Sequence, residues 1–290
     1  MKLFNKLCVF IFVIVLCVLV VGCGEKDPLE PYYWEDMPEN TNPNLEYFGY
    51  YHFSTKIDEV ASHANTNLAK VDSGQLEEIE NLYNNGFYIF IMTRHIFFDS
   101  SQPDGLKTDY LDRWETAKEN LQPYMDRIIG FYVDEPIWTG KKQEAFHTSC
   151  QVVREDFPDK KMMAVIAYIG VMNNSFVIEN ATGLKNIDSR EYLKYCTDVA
   201  FDYYRAWDKD EVLNDINKFK ENVVTEGQHI WLIPKGFYVV DKSKDVNWFL
   251  ENTKLEVGED IKNWIKGSYD IAVEVHNIVG LFCFVYGDDS

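Results

Sequence analysis

Two carboxylates stand side by side, Asp134 and Glu135, after the run Ile129-Gly130-Phe131-Tyr132-Val133 and just before Pro136. Adjacent acids repel, so one of them holds its proton to a higher pH than a lone carboxyl would. A carboxyl tuned in that way suits general acid catalysis. If the run is a strand, alternation puts Ile129, Phe131, Val133 and Glu135 on one face and Gly130, Tyr132 and Asp134 on the other. Only one of the two acids then points toward a site. We expect Glu135 to be the proton donor and Asp134 to tune it. The plain alternative is an acidic turn that closes a strand, with Pro136 opening the loop.

Elements that would position this pair recur regularly along the chain. Runs rich in β-branched and aromatic residues predict strands at Tyr47–Phe53, Asn67–Val71, Phe87–Thr93, Ile128–Val133, Met162–Tyr168, Asp198–Tyr204, His229–Pro234 and Ile278–Tyr286. Between them, helical spacing of apolar residues marks Thr55–Ala64, Gly74–Asn84, Thr108–Met125, Lys141–Phe157, Ser189–Tyr195 and Asp208–Asn222, and the connection Asp245–Asn277 has room for two helices. Eight strands with seven helical connections predict an α/β fold, a (β/α)8 TIM barrel whose eighth helix is absent. The alternative is an open doubly wound sheet. No Gly-rich phosphate loop follows the first strand, which argues against a nucleotide-binding version of it.

Active sites of such barrels lie at the C-terminal strand ends. Strand one ends near Tyr51 and His52, and strand three at Thr93, Arg94 and His95. Strand four gives the acid pair and, just beyond, Trp138; strand five gives Tyr168. Strand six brings Asp202, Tyr203 and Tyr204, with Trp207 following, and strand seven brings Lys235. Asp288 follows strand eight.

The segment Ile129 to Trp138 resembles the fourth-strand end of the large retaining clan of (β/α)8 glycoside hydrolases, in which a general acid/base glutamate precedes Pro, usually as Asn-Glu-Pro. This chain has Asp134 at the Asn position. The resemblance implies cleavage of a glycosidic bond, which needs a proton donor and a second carboxylate acting as nucleophile or base. The clan's second glutamate ends strand seven, but Ile230-Trp231-Leu232-Ile233-Pro234-Lys235 contains no acid. Asp202 or Asp288 takes that role, or the barrel binds sugar without cleaving it. Trp138 and Trp207 suit stacking on sugar rings, whereas Trp231, inside a strand, reads as core. Tyr51, Tyr168, Tyr203 and Tyr204 could add hydroxyl contacts. Arg94 suits an acidic substrate group or an ion pair with Asp134 or Glu135. His52 and His95 read as hydrogen-bonding groups rather than metal ligands, because no HExxH or comparable spacing occurs. Neither a metal nor a cofactor is expected, and no Gly-x-Ser-x-Gly elbow points to acyl transfer. A non-sugar reaction on the same scaffold remains a third reading.

At the N-terminus, Lys2 and Lys6 precede the apolar run Cys8–Val21, which is short for a membrane span and right for a signal-peptide core. It ends in Val20-Val21-Gly22-Cys23, which resembles the lipobox of bacterial lipoproteins. The resemblance implies cleavage before Cys23, diacylglycerol on its thiol, and export with a lipid anchor facing outside the cytoplasm. Residues 1–22 are then the signal, 23–46 an acidic, proline-containing tether, and 47–290 the barrel. Removing the signal, which holds two Lys and no acid, moves the formal charge from −19 to −21. Such a surface argues against nucleic acid as a partner and leaves a carbohydrate or other small molecule, with the membrane reached through lipid. Cys150, Cys196 and Cys283 show no metal or redox spacing and read as buried free thiols. Replacing Cys23 by Ala should abolish incorporation of labelled palmitate in a bacterial host; labelling that persists would remove the anchor.

Overall fold

A computed structural model describes residues 42–51, 57, 61, 64–70, 76–168, 187–203, 208–234 and 257–284. Eight strands run β1 Tyr47–Tyr51, β2 Thr66–Lys70, β3 Tyr88–Met92, β4 Ile128–Val133, β5 Lys161–Ala167, β6 Asp198–Tyr203, β7 His229–Pro234 and β8 Ile278–Phe284. Each pairs in parallel with the next, and β8 pairs with β1, so the sheet closes into a barrel. The open-sheet alternative is thereby excluded. Within the described residues, every strand end lies within one residue of its expected place.

The helices are α1 Leu76–Asn84, α2 Arg94–Phe97, α3 Tyr110–Leu121, α4 Gln143–Asp156, α5 Ser189–Tyr192, α6 Lys209–Asn222 and α7 Val257–Glu274. The α6 start is set by Asp208, whose carboxylate accepts from the Glu211 backbone N–H at 3.0 Å. Among the described elements, α2 alone lacks a sequence signal. Thr93 already has helical dihedrals, so the chain turns into a helix where an extended strand end was expected.

Period-two alternation divides the strands between two cores. Phe131, Val133, Ala164, Phe201, Leu232 and Leu281 face the helices and pack with Trp114, Phe146 and Phe219. Leu68, Phe90, Tyr132, Met163, Val165, Trp231 and Phe282 fill the barrel interior. Trp231 is fully buried there, stacked on Phe282 at 4.9 Å and on Tyr47 at 5.1 Å, with Phe90 edge-on at 5.1 Å. Its indole N–H donates to the buried Asp198 at 2.8 Å, and Lys161 Nζ lies 3.2 Å from the same carboxylate. Burial alone would push Asp198 up. Hydrogen bonds from His229, Trp231 and Thr197 and the Lys161 charge outweigh it, and the carboxyl sits below its usual range. An indole this large needs small neighbours: a methyl added at Gly280 would lie 2.1 Å from the Trp231 ring.

The barrel body begins before residue 47. Asn42 is buried, and its Nδ2 donates to the carbonyls of Ala272 (2.8 Å) and Ile278 (2.9 Å). Residues 42–46, assigned to the tether from sequence, are therefore bonded onto the barrel. The thiols of Cys150, Cys196 and Cys283 are buried and free, as expected.

Gly280→Ala should overpack the interior and cost roughly 1–3 kcal/mol, read as a lower urea midpoint at unchanged m-value. Stability equal to wild type would show that the interior yields easily.

Candidate active site

The C-terminal end of β4 gathers the charged groups. Tyr132 belongs to the interior cluster and Val133 to the helix-facing one. Asp134 continues the interior parity, and the Tyr51 hydroxyl at the end of β1 donates to its Oδ1. Regular alternation stops there. Glu135 has φ +40°, the one positive φ outside glycine among the described residues. This left-handed backbone costs a non-glycine residue on the order of 1 kcal/mol or more. A turn holds it: the Glu135 carbonyl accepts from Thr139 N–H and from Thr139 Oγ1, both at 2.8 Å, and Lys141 N–H donates to the Pro136 carbonyl at 2.9 Å. The acid with inward strand parity is thus Asp134, which corrects the expectation that alternation would select Glu135. Glu135 is set by the turn instead.

Glu135 is half-buried. Burial pushes its carboxyl up, the neighbouring Asp134 charge adds to this, and Arg94 opposes both; the outcome is a pKa of about 7. At neutral pH a substantial fraction of Glu135 therefore carries a proton. Asp134 is flanked on its other oxygen by Arg94, with Nη1 to Oδ2 at 4.0 Å, the long end of ion pairing. Arg94 reaches this place because Thr93 ties β3 to β4: its N–H (2.9 Å) and Oγ1 (3.1 Å) both donate to the Tyr132 carbonyl.

Asp202 shares the interior parity of Ala200 near the end of β6 and is buried. Its charge acts on the Tyr51 hydroxyl, as do Tyr132 and Asp134. Burial, followed by these groups, holds the Tyr51 proton well above its ordinary pKa, so Tyr51 is a neutral donor at any working pH. Tyr51 also packs edge-on against Tyr132, with centroids 6.3 Å apart. One tyrosine thus joins the ends of β1 and β4 and feels the Asp202 charge from β6. Tyr51 was expected at the rim as a hydroxyl contact, but its bond to Asp134 was not legible beforehand, because only barrel closure brings the end of β1 to the end of β4.

The other expected site residues divide into three groups. Trp138 is half-buried in the turn that follows Glu135. Tyr168 packs edge-on against Tyr203 (5.3 Å) and beside Phe201, among helix-facing residues rather than with the acids. His95 is exposed on α2, where its carbonyl accepts from Lys107 Nζ at 2.7 Å, and its ring is not joined to the acids. His52, Tyr204, Trp207, Lys235, Asp288 and Cys23 lie outside the described residues. Among the described residues, no group of three His, Cys, Asp or Glu is placed to hold a metal ion.

No family model matches the chain. A Dictyostelium discoideum "protein hook homolog" is 26% identical over 118 residues, spanning 39% of this chain and 15% of that protein, which is too little to assign a family. The chain is similar in structure to an endo-1,4-beta-xylanase from Caldicellulosiruptor owensensis, with a TM-score of 0.54, 12% identity, and coverage of 88% of this chain and 90% of that one. A mannanase catalytic domain from Streptomyces sp. SirexAA-E aligns at a TM-score of 0.46 and 14% identity over 85% of this chain and 77% of its own, too distant to argue from. What the xylanase shares with this chain is the fold: eight parallel strands closed into a barrel with helices outside.

Proposed function

We propose that this protein is an exported lipoprotein, anchored through Cys23, whose barrel cleaves a glycosidic bond with Glu135 as general acid. The observation that carries the reading is the pair at the end of β4. Glu135 is half-buried beside Asp134 and holds its proton to about pH 7, while Asp134 is bonded to Tyr51 and flanked by Arg94. A protonated acid beside an anion matches what departure of a sugar hydroxyl requires. In this reading Glu135 gives its proton to the glycosidic oxygen as that bond breaks. Asp202 is the second carboxylate, attacking the sugar carbon itself or activating water to do so. Trp138, in the turn after Glu135, offers an indole face to a sugar ring. The shared fold of the xylanase is compatible with this chemistry and does not fix the substrate.

A second reading rests on a specific observation: β7, His229–Pro234, carries no carboxylate. The barrel would then bind carbohydrate without hydrolysing it.

The two readings part in a screen of chromogenic glycosides and a glycan array, run on wild type, Glu135→Gln and Asp202→Asn. Hydrolysis predicts turnover that falls as pH rises through about 7, because Glu135 loses its proton there. It also predicts a loss of roughly 100-fold or more in Glu135→Gln. Turnover indifferent to Glu135→Gln removes the catalytic assignment. Array binding with no turnover in wild type favours the binding reading.

A further inference from the structure

Asp134 and Glu135 are chain neighbours, and Asp134 is bonded to a group from the far side of the barrel. Tyr51 stands at the end of β1, which pairs with β2 and β8 and not with β4. Its hydroxyl nevertheless donates to Asp134 Oδ1. The bond therefore runs through the barrel interior, not along the sheet. We propose that Tyr51 is a positioning residue: its hydroxyl, carried across the barrel from β1, holds Asp134 as an anion beside Glu135 and thereby holds the proton on Glu135. The inference rests on the reading of Glu135 as general acid and assigns the group that keeps it charged with a proton.

The surrounding charges support this direction. Asp134 is faced by Tyr51 from β1, Tyr132 from its own strand and Arg94 from α2. Tyr51 itself is faced by Tyr132, Asp134 and, from β6, Asp202. Glu78 of α1 acts on Tyr132, and Lys141 lies within the field of Arg94. Burial, followed by Tyr132, Asp134 and Asp202, opposes ionisation of Tyr51, so the phenol keeps its proton and stays a donor. Arg94 is ambivalent. It favours the Asp134 anion, but it also favours the Glu135 anion. Tyr51 donates its hydroxyl directly to Asp134 Oδ1. That bond separates the neighbours by stabilising the Asp134 anion. A hydroxyl on a buried ring is also better shielded from the water that weakens a partly exposed arginine.

Without that bond, the two carboxyls would share one proton and titrate as a pair. The test is carbon-13 NMR titration of carboxyl-labelled Asp134 and Glu135 in the folded protein, with no substrate present. In wild type, Glu135 should titrate in one step near neutrality, with Asp134 already ionised. In Tyr51→Phe, which keeps the ring, the Asp134 midpoint should rise by about one unit or more, a tenfold gain in proton affinity. Glu135 should then titrate in two steps mirrored by Asp134. In Asp134→Asn, the Glu135 midpoint should fall by a similar amount. Titrations unchanged by Tyr51→Phe would overturn the proposal, as would a Glu135 midpoint indifferent to Asp134→Asn. The catalytic reading fails separately: turnover that survives Glu135→Gln would sink it while leaving these titrations as evidence of proton placement.

Discussion

Closure of the sheet is the constraint on which the rest depends. With β8 bonded to β1, each strand turns one side chain in two toward a common interior, whose volume is fixed by eight strands. Toward the N-terminal end that volume is filled by the aromatic stack on Trp231, and Gly280 makes room for it. Near the other end the same alternation delivers Tyr51, Asp134 and Asp202. Both ends place a carboxylate inside the barrel, but they treat it differently. Asp198 is surrounded by donors and a lysine, which suits a structural anion. Asp134 accepts from the Tyr51 phenol and lies 4.0 Å from the Arg94 guanidinium, next to a second acid.

That second acid owes its setting to a break in regularity. Glu135 takes a left-handed backbone that the Thr139 contacts hold in place, and it is the first residue past β4 to leave the strand pattern. Stored strain at this point is consistent with a residue placed for chemistry rather than for packing. The cost is small against the interior burial that supports it, since each buried aromatic of the stack contributes on the order of 1.5–3 kcal/mol.

How much of this could be read from the chain follows from the same physics. Strand positions were legible because interior and helix-facing residues alternate between apolar shells on both sides, leaving long β-branched and aromatic runs such as His229–Pro234. Trp231 was rightly placed in the core, since it stands mid-run. The Asp134–Glu135 pair was legible as chemistry because two adjacent acids before Pro136 have an evident mutual effect. Three things were hidden. The helix at Arg94–Phe97 is a single turn, too short for periodicity to announce. The φ of Glu135 belongs to a local turn closed by Thr139, and alternation alone did not say which of its two faces, that of Asp134 or that of Glu135, turns inward. The Tyr51–Asp134 bond joins residues 83 positions apart, and only the closed barrel brings them together. The packing of Tyr168 edge-on against Tyr203 is likewise something strand order does not reveal.

As the proposed general acid, Glu135 must meet a glycosidic oxygen at the mouth of the barrel. A crystal structure of Glu135→Gln holding an uncleaved oligosaccharide that the wild type turns over shows this directly. The sugar should lie across the C-terminal strand ends, with its glycosidic oxygen within about 3.2 Å of the residue 135 side chain and Asp202 near the sugar carbon of that bond. A sugar bound elsewhere, or one whose glycosidic oxygen lies out of reach of residue 135, would contradict it.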